Sequence, residues 1–402
     1  MTVNDINKAR LADLNTAMND FTERGEIPGI VTLVSVGDEV HVNAVGRMTI
    51  DGAEPMRRDT IFRVASITKP ITAAATMMLI DDGKMRLDDA VEAWLPELAN
   101  RQVLKSIGAP LDDTVPARRS ITVRDLLTST FGFGSVMAMP GTYFIQQLIR
   151  DGRLGGDGPP HPELTPGTDE WMRRLGVLPL MYQPGERWLY NTSCDVLGVL
   201  VARVAGKSFE AFLRERLFEP LGMKDTAFSV PAEKLDRLPG VYHFDHESKR
   251  LKSFDNEQKS EYSNPPAFES GAGGLVSTAD DYYAFCRMML NKGMWDGERI
   301  LSEASVEAMT KDQLTPEQRT GAEFFFGNHG SWGFGMGVDI QQTEPWRVPG
   351  RFGWDGGFGT SAYSDPKHDF VGILLTQRMM DSPQPPAVFE EFWRRAYRSI
   401  EA

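Results

Sequence analysis

The chain has 402 residues, 41% of them hydrophobic and 25% charged, enough apolar material for one large core or two joined lobes. A formal net charge of -13 argues against nucleic acid or an anionic membrane as partner, because both require basic patches to meet phosphates. No apolar stretch approaches about 18 residues, and the polar start MTVNDINKARLADL lacks the apolar region of a signal peptide, so a soluble, cytoplasmic protein is expected. The two cysteines, Cys194 and Cys286, stand far apart in no metal-like spacing, which suits a reducing compartment. Nothing near Cys194 would activate a thiolate, so it reads as a packing residue.

In chain order, the pattern predicts a helix over about 6 to 24, then strands in GIVTLVSVG and EVHVNAVG separated by a turn at Gly37-Asp38. A second helix follows at about 66 to 82, with apolar residues at Ile71, Ala75, Met78 and Leu79 and Gly83 as its C-terminal stop. From there to about 200 the chain is richer in helix and loop, including a helix within Ile121 to Ser129. The Gly/Pro-rich stretch DGRLGGDGPPHPELTPG at 151 to 167 reads either as a lid over the binding pocket or as a surface insertion. Helices are expected at Asp195 to Ala205, ending at Gly206, and at Phe209 to Phe218. FGTSAYSDP and DFVGILLTQR read as a hairpin turning at Asp365-Pro366-Lys367-His368. Strands at both ends with helices between imply a sheet completed by N- and C-terminal segments.

The pattern with the most chemistry is Ser66-Ile67-Thr68-Lys69. On a helix, residues three apart are neighbours, so the Lys69 amine can reach the Ser66 hydroxyl and take its proton. Only a neutral amine can do so, which calls for a dry or cation-rich pocket. Pro70 fixes the start of this helix, placing Ser66 at its N-terminus, where unpaired N–H groups favour an oxyanion. Ser-x-x-Lys recurs at Ser364-Asp365-Pro366-Lys367, but there it sits in a turn with no helix to carry it. No serine lies in Gly-x-Ser-x-Gly, so the α/β-hydrolase nucleophile turn is absent. His243-Phe244-Asp245-His246 has no third ligand motif and reads as a solvated loop, and GAGG at 271 to 274 does not match a phosphate loop.

Three segments together resemble the serine β-lactamase and penicillin-binding protein superfamily, in particular the class C β-lactamase-like carboxylesterases of family VIII: SITK at 66 to 69, QPGERWLYNTSCDVLG at 183 to 198, and FGWDGGFGTSAYSDP at 352 to 366. ITVRDLLTSTFGFG, PLGMKDTAF and SGAGGLVSTADDYYAF match in kind, and the likeness spans about residues 25 to 385. The resemblance implies an α/β (α+β) fold with a central antiparallel sheet flanked by helices. Its α/β domain would be discontinuous, 1–85 and 205–402, with a mainly helical lobe at 86–204.

It also implies roles. Ser66 would be the nucleophile, with Lys69 and Tyr190 sharing protons. A free phenol is a poor base at neutral pH, so Tyr190 would need a neighbouring cation such as Lys69. The Ser66 and Gly357 N–H groups would form the oxyanion hole, Gly356 and Gly357 would let the strand approach a ligand, and Trp354 would be an apolar wall without acid-base work. Trp354, Phe131, Phe133 and Phe358 would limit the pocket to short or medium acyl chains. Two departures matter. Thr192 stands where lactamases usually carry asparagine, with Asn191 one residue early, and Trp354 replaces the lysine that would hold a lactam carboxylate. The expected activity is therefore hydrolysis of a small-molecule ester through a Ser66 acyl-enzyme, with no metal or organic cofactor, in a monomer or small homo-oligomer. β-Lactam or amide hydrolysis, acyl transfer to an alcohol, and a non-catalytic penicillin sensor are the alternatives.

Overall fold

The computed structural model describes residues 6–155, 158–256 and 259–400. Its centre is a seven-stranded antiparallel sheet in the order Gly330–Trp332, Gly337–Asp339, Phe352–Gly356, Thr360–Asp365, Phe370–Thr376, Gly29–Val36, Glu39–Gly46. The N-terminal hairpin thus completes a sheet whose other strands come from the C-terminal part, as the sequence implied.

The strand GIVTLVSV is buried along its whole length because helices cover both faces of the sheet. Alternation along the strand sends Val31 and Leu33 into the main core, while Ile30 and Val34 face a second core. The second core is closed by helices Lys8–Glu23 and Ala387–Arg398, the latter burying Phe389, Phe392, Trp393 and Tyr397 at helical spacing. On the other face lie the helices Thr68–Asp81 and Ala279–Leu290, and the main core continues through the helical region to Phe131, Phe133, Trp171 and Leu197.

Several sequence expectations need correction. Ser364 and Asp365 belong to the strand Thr360–Asp365, so the turn begins after them. His243 and Asp245 lie in the strand Val241–Asp245, paired with Arg250–Asp255, so the HFDH stretch is largely sheet rather than loop. Among the described residues, no group of three His, Cys, Asp or Glu is gathered to hold a metal. The segment from Phe209 is an α-turn to Leu213 followed by a π-helical turn, Arg214–Phe218. Among the described residues, no helix is long and apolar enough to cross a membrane.

Two short pieces of chain place the site. Strand Phe62–Arg63 pairs with Val276–Ser277, and the Val64 amide donates to the Leu275 carbonyl at 3.0 Å. This pairing brings the residues just before Ser66 against the turn at 270–274. Arg63 is fully buried and anchors the strand: it is ion-paired with Asp255 and donates to the Pro239 carbonyl (2.6 Å) and Ser260 Oγ (2.9 Å). Asp255→Ala leaves a buried guanidinium without its carboxylate and is expected to lower stability by about 3–5 kcal/mol in urea unfolding followed by circular dichroism. A loss below about 1 kcal/mol would show that this pair does not anchor the strand.

Candidate active site

The chain leaves strand Phe62–Arg63 through Ala65, whose φ of 48° is a left-handed conformation seldom adopted by a residue with a side chain. The abrupt turn sets Ser66 in a single 3-10 turn, Ala65–Ile67, directly before the helix Thr68–Asp81. Pro70 falls in the first turn of that helix, where its missing N–H costs no hydrogen bond. Ser66 is half-buried at the wall of a cavity, and Lys69, three residues on, is fully buried beneath it.

Lys69 Nζ donates to Ser66 Oγ at 2.9 Å and to the Ala272 carbonyl at 2.6 Å. It also lies 4.5 Å from the centre of the Tyr190 ring, so the amine faces the π-surface of the phenol. Tyr190 Oη instead accepts a hydrogen bond from Trp354 Nε1 at 2.8 Å. Trp354 is therefore more than the apolar wall the sequence suggested: it holds the phenol oxygen. Its strand position, opposite Ala362 in the Phe352–Gly356 and Thr360–Asp365 pair, aims the indole at the site.

The two rings belong to an aromatic cluster with Trp188, Phe325 and Trp332. Tyr190 and Phe325 have ring centroids 4.8 Å apart, and Trp332 meets Trp354 edge-on at 4.7 Å. Nothing in the sequence marks Phe325, whose part in this cluster depends on the chain folding back between residues 320 and 330.

The cavity has a volume of about 1060 Å³ and is bordered by Ser66, Tyr190, Trp354, Gly357, Phe358 and Asp195. Gly357 has open space where a side chain would sit. Gly356 does not border the cavity; a Cβ there would collide with Thr360 Oγ1 (2.1 Å) and the Val64 carbonyl (2.5 Å), so its smallness serves contact with the Ser66 segment rather than with a ligand. Phe131 and Phe133 are likewise not at the cavity: both are fully buried in the main core. Of the four aromatic residues expected to crowd the acyl pocket, only Trp354 and Phe358 border it.

Asn191, one residue early for the lactamase pattern, borders the cavity with a φ of 83°, while Thr192 is buried at the start of helix Thr192–Ala205. Asp355, next to Trp354, accepts from Ser361 Oγ at 2.5 Å, and burial pushes its carboxyl up. Burial also pushes the Cys194 thiol up to about 11, consistent with a packing residue. In the 151–167 stretch, residues 156 and 157 lie outside the described residues. The rest supplies cavity wall at Gly155 and from Gly158 to Pro162, with His161 Nδ1 3.0 Å from Glu261 Oε1.

Comparison with known proteins identifies the family. The profile of the family described as Beta-lactamase matches residues 14–389. Protein Rv1367c of Mycobacterium tuberculosis is 38% identical over 379 residues, covering 91% of this chain and 89% of the relative. Esterase EstB of Burkholderia gladioli is 29% identical over 396 residues, covering 93% of this chain and 92% of the relative. Among solved structures, EstCE1, a hydrolase with promiscuous acyltransferase activity, shares the fold with a TM-score of 0.79 at 24% identity, covering 97% of this chain and 99% of that one. The chain belongs to the Beta-lactamase family and is an enzyme of the serine hydrolase type.

Proposed function

We propose that this protein is a carboxylic ester hydrolase that forms an acyl-enzyme on Ser66. At family level the chemistry is ester hydrolysis or acyl transfer, in keeping with relatives named as esterases and acyltransferases. The observation that carries the reading for this chain is the 2.9 Å contact between Lys69 Nζ and Ser66 Oγ at the wall of a large cavity.

A neutral Lys69 has two N–H groups and one lone pair. It can keep an N–H on the Ala272 carbonyl while its lone pair accepts the Ser66 proton. Ser66 Oγ then attacks the ester carbonyl, and the Ser66 and Gly357 N–H groups receive the oxyanion. Tyr190, with Lys69 against its ring and the Trp354 N–H on its oxygen, is suited to deliver a proton to the departing alkoxide. Water attacks the acyl-enzyme in the second half-reaction, losing its proton to the Tyr190 oxygen, while the proton held on Lys69 returns to Ser66 Oγ as the acid is released. The third motif carries Trp354 where a lysine would hold a lactam carboxylate, which favours esters over β-lactams.

The size of the cavity supports a second reading beside hydrolysis, acyl transfer to an alcohol. About 1060 Å³ is at the upper end for small-molecule sites and leaves room for an acceptor beside the acyl group. With Phe131 and Phe133 in the core, medium and branched acyl groups are expected to fit as well as short ones.

Ser66→Ala is expected to abolish p-nitrophenyl butyrate turnover, with nitrocefin turned over slowly or not at all by the wild type. A stable β-lactam adduct without ester turnover would overturn the proposal. Tyr190→Phe is expected to lower kcat by about 10²- to 10⁴-fold, as for loss of a general acid or base. Trp354→Phe keeps an aromatic wall but removes the N–H donor. A hydrogen bond to a charged acceptor is worth about 1.5–3 kcal/mol, so steady-state kinetics should show kcat down by about 10- to 100-fold with KM little changed. An unchanged kcat would mean that the indole serves only as wall.

A further inference from the structure

Below the Ser66–Lys69 pair lies a carboxylate that the proposed reaction does not use. Asp195 sits in the first turn of helix Thr192–Ala205 and is only 4% exposed. Its Oδ1 accepts from Ser270 Oγ at 2.6 Å and from the Ala272 amide at 3.1 Å. Ser270 Oγ in turn accepts from the Gly273 amide at 3.2 Å, and the Gly274 amide donates to the Ser270 carbonyl at 3.0 Å. The turn from Ser270 to Gly274 is thus pinned through one carboxylate oxygen. The carbonyl of Ala272, in the middle of that turn, is the one that accepts from Lys69.

The contact between turn and helix is very close. A Cβ on Gly271 would lie 2.3 Å from the Cys194 carbonyl, and the Gly271 carbonyl accepts from Thr72 Oγ1 at 2.8 Å. Helix, turn and Ser66 helix are locked at a separation that only glycine allows.

We propose that Asp195 is a positioning residue that sets the placement of the Lys69 amine, acting through the Ala272 turn. The inference rests on the reading of Ser66 and Lys69 as the reacting pair. The hydrogen bonds from Ser270 and Ala272 to the carboxylate fix the carbonyl that aims Nζ at Ser66 Oγ. Burial, the largest influence, leaves the Asp195 carboxyl above its ordinary range, although the Ser270 and Ala272 donors and Lys69 act in the opposite direction. Both of its hydrogen-bond neighbours are donors, which suits the ionised form. Ser66 Oγ and the Tyr190 ring face Lys69, and the buried Cys194 thiol lies close to both Lys69 and Asp195.

Positioning is tested by mutation. Asp195→Ala removes the acceptor of both hydrogen bonds, and kcat for p-nitrophenyl butyrate should fall about tenfold or more with KM close to wild type. Asp195→Asn is nearly isosteric and keeps an acceptor oxygen for both donors, so it should restore most of that rate. Rates are referred to active sites titrated with a phosphonate, so a loss of folded protein does not count as a loss of rate. The proposal is overturned if the titrated Ala variant keeps the wild-type kcat, or if the titrated Asn variant falls as far as the Ala variant. Turnover that survives Ser66→Ala would instead overturn the underlying reading of the site.

Discussion

The site depends on one buried amine. Lys69 Nζ has no access to water, so each of its polar contacts must come from the protein. It meets Ser66 Oγ on its own helix, the Ala272 carbonyl some two hundred residues later, and the face of Tyr190 from a third segment. Only the first contact is local. The others require the 270–274 turn and the Tyr190 segment to close over the Ser66 helix, so chain folding and assembly of the nucleophile are one event. Strand Phe62–Arg63 is the hinge of this arrangement: its pairing with Val276–Ser277 aligns the residues before Ser66 with those after Ala272.

The aromatic side of the site solves a different problem. A phenol needs either a base or a stabilised anion to exchange protons near neutral pH, and among the described residues neither a carboxylate nor a histidine is bonded to Tyr190 Oη. What it has is the Lys69 amine against its ring and an indole N–H on its oxygen. The indole can only donate, so it stabilises the phenolate more than the phenol. Trp188, Phe325 and Trp332 pack around these rings and limit their motion, which keeps the donor in line.

What could be read from the sequence followed the range of each signal. The N-terminal hairpin, the Ser66 helix and the Thr192–Ala205 helix were legible because periodicity, Pro70, Gly83 and Gly206 act within one or two turns. The sheet strands Gly330–Trp332 and Gly337–Asp339 were not, since three residues are too few to display an alternation. Phe131 and Phe133 illustrate a different failure. Proximity to a motif in sequence suggested proximity to the pocket, but their apolar rings gained more by joining the main core. Asp195 was hidden because an acid in the first turn of a helix is an ordinary dipole-complementing choice, and only the tertiary approach of Ser270 and Ala272 gives it partners. The bond between Trp354 and Tyr190 spans 164 positions and had no local trace at all.

The two copies of Ser-x-x-Lys show why a nucleophile motif is a statement about backbone. In the helix that carries Lys69, residues three apart project from one face, and the amine lies 2.9 Å from the hydroxyl. Ser364 occupies a strand, where side chains alternate with a period of two, so the third residue on points to the opposite face even before the chain turns. The turn then carries Lys367 out into solvent while Ser364 stays buried between the flanking strands, opposite Phe352 and Val371. A lysine turned into solvent does not reach the hydroxyl and a buried hydroxyl meets no substrate, so this copy lacks both the pairing and the access that the first one has.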